Sequence, residues 1–212
     1  MEYEKVLKHL KKITHTKEPS LKVSPVLKGV YHKDNSVRAT DKHRIIYAEI
    51  NNAEFDEAVI DTKTNETITD RFPNTDNLFV SEGDIDLFVY SEVIAEMKTI
   101  LNCIKSLKYK CVNIVKEADN WYLEPRRNDN EEISMHDRTS IRYTIAKDTT
   151  SQEQTRVFST EYLLNIIDFI KDTKEDTRIT MQENQLMPIQ FSNIAYNDFK
   201  YKYVVMPIRI YS

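Results

Sequence analysis

Apolar residues recur at helical spacing in three places along the chain. Tyr3, Val6, Leu7, Leu10 and Ile13 follow the i, i+3, i+4, i+7 rule of a single buried stripe, with Lys5, Lys8, Lys11 and Lys12 lying away from it. Val93, Ile94, Met97, Leu101 and Ile104 form a second stripe, predicting a helix over 91–107 with Ser91 as its N-cap. Tyr162, Leu163, Ile166, Ile167 and Ile170 form a third. Ser159 caps that helix, and Glu161 puts an acid in its first turn, where the helix dipole favours one. Each stripe is followed by runs of strand character. These runs are 26–32, 36–40 and 44–50; then 109–115, 121–125 and 141–146; then 178–181, 186–191 and 201–209. Short strands at 87–90 and 156–158 lead into the second and third helices, and Asp34-Asn35 and Asp119-Asn120 read as hairpin turns. The plan is helix plus three strands, three times over, in an α+β unit of roughly seventy residues. Phe88-Val89-Tyr90-Ser91-Glu92-Val93-Ile94 and Val157-Phe158-Ser159-Thr160-Glu161-Tyr162-Leu163 enter their helices in the same way, through Ser and Glu.

The stretch 51–83 is polar and weakly periodic, with one strand candidate at 58–61. It reads as a connector packed through Phe72, Leu78 and Phe79, and divides the chain into domains of 1–80 and 81–212. The closing run, from Tyr203 to Ser212, is a buried strand that meets Pro207, a residue suited to a strand edge or exit. Met206, Ile208 and Ile210 are thereby left near the surface with Arg209 beside them. Such an ending serves either as a sheet edge or as the wall of an interface.

Composition narrows the function. The chain has 212 residues, and 34 acidic against 30 basic residues give a net charge of −4, so nucleic-acid binding calls for local segregation of charge. Only Gly29 and Gly83 are glycines, which excludes dinucleotide-binding and Walker-type loops. Cys103 and Cys111 each lie in an apolar pattern and read as buried free thiols of a reducing, cytoplasmic setting. No apolar run reaches the length of a membrane span, and the N-terminus does not read as a signal peptide. Among the five histidines, His9 and His15 read as solvated, and none has metal-ligand spacing to a second His or Cys. His136-Asp137 is a weak acid–base candidate, and Asp41 with His43 a weak metal candidate. The reading is of a protein without catalytic residues.

Two segments carry a resemblance. Ser24-Pro25-Val26-Leu27-Lys28-Gly29-Val30 followed by Val37-Arg38-Ala39-Thr40-Asp41-Lys42-His43-Arg44-Ile45 is one. The other begins at Phe158-Ser159-Thr160-Glu161-Tyr162-Leu163-Leu164, passes through Met187-Pro188-Ile189 and ends on Tyr203-Val204-Val205-Met206-Pro207-Ile208-Arg209. Both resemble the bacterial DNA polymerase sliding clamp, the DNA polymerase III β subunit, as does Asp70-Arg71-Phe72-Pro73. The chain departs from the family in being far shorter, with about three half-domains instead of six, and in carrying Lys42 where the family usually has glycine. A phage- or plasmid-encoded short clamp is one reading of that length.

The resemblance implies a DNA-clamp-like fold and a role that depends on shape. Clamps close into a ring of copies around duplex DNA, with helices lining the hole and contacts that ignore sequence. It nominates Lys5, Lys8, Lys12, Lys98, Lys105 and Lys108 to face phosphates, although Glu161, Asp168 and Asp172 make the third helix acidic. It implies a hydrophobic pocket for peptides of DNA polymerase and clamp loader, formed by Leu27, Thr40, His43, Arg44 and Ile45 with Val204, Met206, Pro207, Ile208 and Arg209. It calls for no cofactor, metal or catalytic residue. Four copies of three halves, or three copies of the chain read as two fuller domains, are both compatible with a ring. The alternative is a non-ring adaptor or inhibitor that binds replication-protein peptides without encircling DNA. An unrelated α+β enzyme using His136 or His43 is the third reading.

Overall fold

The computed structural model describes residues 1–14, 24–80, 82–126, 140–194 and 199–209. His15, the charged loop 128–132, His136-Asp137 and Ile210 therefore lie outside the described residues. The chain divides into two compact units, one of Met1–Glu82 with Gln190–Val205 and one of Gly83–Ile189 with Met206–Ser212. The sequence implies one boundary at 80–81; the first unit runs to Glu82 and also takes Gln190–Val205 from farther along the chain.

In the first unit, helix α1 (Tyr3–Thr14) precedes a 3-10 turn (Pro25–Lys28) and the strands β1 (Gly29–Asp34), β2 (Ser36–Thr40), β3 (Arg44–Ile50), β4 (Phe55–Asp61) and β5 (Thr67–Ile68). β12 (Ile189–Asn193) and β13 (Phe199–Val205) complete its sheet, in the order β5-β4-β1-β2-β3-β13-β12. The hairpin at 34–35 forms as the sequence implies, with Lys33 opposite Ser36 and Asp34 at a positive φ of 52°. Residues 26–28 are not strand, because Pro25 opens a 3-10 turn that buries Val26 and Leu27. They join Val59 and Phe72 in a small apolar cluster.

Alternation along β1 assigns the two faces of this sheet. His32 turns toward α1, where its Nε2 meets the Tyr3 hydroxyl at 2.8 Å, and Val6, Leu10 and Ile13 are fully buried. Tyr31 points the opposite way and stacks on Phe72, ring centroids 5.1 Å apart and 7° from parallel. The connector follows that second face. Asp76 pairs with Arg38 at 2.6 Å, Phe79 packs on Tyr47, and Val80 exchanges two hydrogen bonds with the Gln190 amide. Phe72 and Phe79 anchor it as the sequence suggests, but Leu78 is exposed.

The second unit exchanges strands between its halves. β6 (Ile85–Val89) leads into α2 (Ser91–Ser106), which is followed by β7 (Cys111–Glu117), β8 (Asn120–Arg126) and β9 (Tyr143–Lys147). β10 (Gln154–Ser159) leads into α3 (Thr160–Thr173), which is followed by β11 (Thr177–Met181). β6 pairs with β11, and β10 pairs with β7, so each entering strand joins the sheet of the other half. The two helices pack on each other. The Ser159 hydroxyl caps α3 by accepting from the Tyr162 amide. Ser91 does not cap α2; it is the first helical residue, and its amide is met at 3.0 Å by the carboxylate of Asp176. Residues 186–188 belong to a turn, so β12 starts at Ile189 where a strand was expected from 186, and β13 stops at Val205, short of the end expected at 209.

Two other expectations fail for physical reasons. His9 is 2% exposed, because the α1 stripe widens onto the sheet beneath it. Cys103 is exposed and Cys111 half-buried, so neither is a core thiol.

A Cβ at Gly29 would lie 2.5 Å from Val59 Cγ1 and 3.0 Å from the Ile60 carbonyl. Gly29→Ala is expected to destabilise by about 1–3 kcal/mol, read as a lower urea midpoint. Burial holds the His32 ring below its ordinary pKa of 6.5. The unfolded ring therefore protonates first as pH falls, so this contribution is complete above about pH 6.5 and is lost below it. His32→Gln is expected to flatten the decline in urea midpoint between pH 7.5 and 5.5.

Candidate functional site

The turn between β2 and β3 is built by its own side chains. Asp41 Oδ1 accepts from the amides of His43 and Arg44, both at 3.1 Å. The Thr40 hydroxyl donates to the Arg44 carbonyl at 2.8 Å and accepts from the Lys42 amide at 3.1 Å. Arg44 Nε then donates to Asp41 Oδ2 at 3.0 Å, with both side chains fully buried. Arg44 Nη2 donates to the carbonyl of Lys12 at 3.0 Å, placing a cation at the end of α1 where the helix dipole is negative. Asp41 is thus a turn cap and an ion-pair partner, which accounts for the Asp41/His43 spacing without a metal. Lys42 adopts φ 74°, a left-handed conformation that suits glycine and strains a lysine.

The register of β3 on β13 joins segments far apart in sequence. Ile45 lies opposite Val204 and Arg44 opposite Val205. Arg44 also hydrogen-bonds the Tyr203 hydroxyl, whose pKa burial pushes up to about 12. The structure therefore brings Thr40, Arg44, Ile45 and Val204 together in the first unit. Leu27, Thr40, Arg44, Ile45 and Val204 are buried there, whereas His43 is exposed.

In the second unit the tail lies on β10. The Ile208 amide donates to the Val157 carbonyl at 2.7 Å, Pro207 is buried, and Met206, Ile208 and Arg209 are exposed. Residues 186–188, expected as strand, form a turn with a second exposed apolar pair, Leu186 and Met187, at 50% and 37% exposure. A signal was present: Met187-Pro188-Ile189 repeats as Met206-Pro207-Ile208.

The lysines differ in their surroundings. Lys5, Lys8, Lys105 and Lys108 are exposed and Lys12 is half-buried. Lys98 is engaged, its Nζ lying 2.6 Å from Asp168 across the α2–α3 contact. Glu161 and Asp172 remain exposed on α3. Among the described residues, no helix is long and apolar enough to cross a membrane.

Among the described residues, three helices and antiparallel sheets, with entering strands exchanged between the halves of the second unit, give the α+β fold of solved sliding clamps. Solved β sliding clamps superpose on nearly the whole chain. The clamp of C. crescentus, with PEG bound to a putative β-motif tethering region, matches at a TM-score of 0.72 and 15% identity, over 99% of this chain and 64% of its own. The H. pylori clamp in complex with diflunisal matches at 0.73 and 14%, over 97% and 64%. The DnaN sliding clamp of Bartonella birtlesii bound to griselimycin matches at 0.68 and 14%, over 99% and 65%. The chain thus spans just under two thirds of these proteins. No family model and no curated protein sequence matches it.

Removing one member of a buried pair strands the other charge. Asp41→Ala is expected to cost about 3–5 kcal/mol in denaturant unfolding, whereas Asp41→Leu/Arg44→Met recovers much of that loss.

Proposed function

We propose that this chain acts as a sliding-clamp processivity factor, which assembles with copies of itself around duplex DNA and tethers partners by short peptide segments. The observation that carries this reading is the β3–β13 register, which sets Ile45 opposite Val204 and unites both clamp-like sequence segments in one sheet. The proposed peptide contacts are Leu27, Thr40, His43, Arg44, Ile45 and Val204 of the first unit. Those of the second are Met206, Pro207, Ile208 and Arg209, joined by Leu186 and Met187. Methionine and branched aliphatic side chains adapt to varied anchors, and a micromolar complex corresponds to about 8 kcal/mol. Polymerase and clamp-loader peptides are the proposed occupants.

Lys5, Lys8, Lys12, Lys105 and Lys108 are the proposed phosphate-facing cations; Lys98, engaged with Asp168, contributes less. Such contacts hold DNA without reading its sequence, so the protein slides and does no chemistry of its own. The Lys98–Asp168 pair and exposed acids on α3 favour a second reading, an adaptor that keeps the peptide contacts but does not encircle DNA.

Retention on a closed circular duplex that is lost when the circle is cut supports the ring. Equal retention on circular and linear DNA, or none on either, contradicts it. Griselimycin binding that Met206→Ala weakens supports the peptide contacts. No difference between that variant and the parent chain counts against them.

A further inference from the structure

Among the described residues, Arg156 is a buried cation whose acceptors are all uncharged. Its side chain lies on β10 at 1% exposure. Nε donates to Gln154 Oε1 at 2.9 Å, Nη1 to the Met187 carbonyl at 3.3 Å, and Nη2 to the Gln182 carbonyl. Burial pulls the guanidinium down to about 10. An apolar side chain of similar volume generally packs as well in such a place without the desolvation cost. What it lacks is the rigid fork of five donors that reaches two carbonyls at once.

Those two carbonyls are the entrance and exit of one turn. Gln182 follows the last residue of β11, and Met187 precedes the proline that leads into β12. Within the turn the Met187 amide bonds the Asn184 carbonyl and the Leu186 amide bonds Asn184 Oδ1, both at 3.0 Å. Leu186 and Met187 stand exposed on it. The next residue of β10, Val157, takes the amide of Ile208 from the other Met-Pro-Ile segment. Two neighbouring residues of one strand therefore hold both segments, Arg156 by its side chain and Val157 by its carbonyl.

We propose that Arg156 is a positioning residue for partner binding, which closes the 182–187 turn at both ends and so presents Leu186 and Met187 to the partner. The proposal rests on the peptide-binding reading above. It makes the turn part of the binding face and makes the face depend on a residue that no partner touches.

The test uses the full chain with griselimycin as probe. Arg156→Met is expected to weaken binding about tenfold, and Arg156→Lys, which reaches one carbonyl but not both, to recover it to within about threefold of the parent. Amides of 183–187 are expected to exchange faster in Arg156→Met while β7 and β10 keep their protection. Leu186→Ala/Met187→Ala alters exposed side chains only and is expected to lose binding by a similar factor, so the proposal stays testable should Arg156→Met not fold. Parent-like binding by Arg156→Met or by the double variant, while Met206→Ala loses it, overturns the role of Arg156 and its turn alone. Parent-like binding by Met206→Ala as well removes the peptide-binding reading beneath it.

Discussion

The first unit depends on the buried ion pair between Asp41 and Arg44. Two charges withdrawn from water are costly unless each is satisfied in several directions. Asp41 accepts two backbone amides as well as the guanidinium, and Arg44 donates to the end of α1 and to Tyr203 besides the carboxylate. One pair thus shapes the β2–β3 turn, seats the helix and holds β3 against β13. A hydrophobic replacement of the same volume can match its stability, but it cannot specify those three partners together.

Strand exchange gives the second unit the same kind of interdependence. β6 belongs to one half by sequence and pairs with β11 of the other, while β10 does the converse with β7. Side chains reinforce the exchange. Arg178 of β11 clasps Asp86 of β6 through two hydrogen bonds and holds its carboxyl below the usual range, and Asp176 caps α2 from the far half. Neither half completes its sheet alone, and α2 takes the acceptor for its first amide from the other half. The apolar tail then docks on the edge of β10, at the carbonyl of Val157.

Local patterns in the sequence carried most of the architecture. The stripes containing Val6, Ile94 and Leu163 locate the helices α1, α2 and α3, and β2 and β3 begin and end where their alternation says. What escaped depends on partners distant in sequence. Nothing near Ser91 announces that Asp176 will take its amide. Nothing near Lys98 announces Asp168. The burial of His9 depends on the sheet beneath α1, and the turn at 186–188 on Arg156 from another strand. The Thr40–Asp41–His43–Arg44 spacing was legible as a motif through its resemblance to clamps, but its physical content, a self-capped turn around a buried pair, emerges only from the geometry.

The proposed ring requires copies of this chain to close around duplex DNA, held by contacts to phosphates. Within that proposal, the acidic side of α3 and the engagement of Lys98 leave fewer cations for phosphates than the helices' lysine count suggests. Native mass spectrometry across a concentration series, with and without circular duplex DNA, bears most directly on this. The account predicts a discrete closed assembly of a fixed number of copies, stabilised by the circle. A monomer at every concentration, unchanged by DNA, would contradict it.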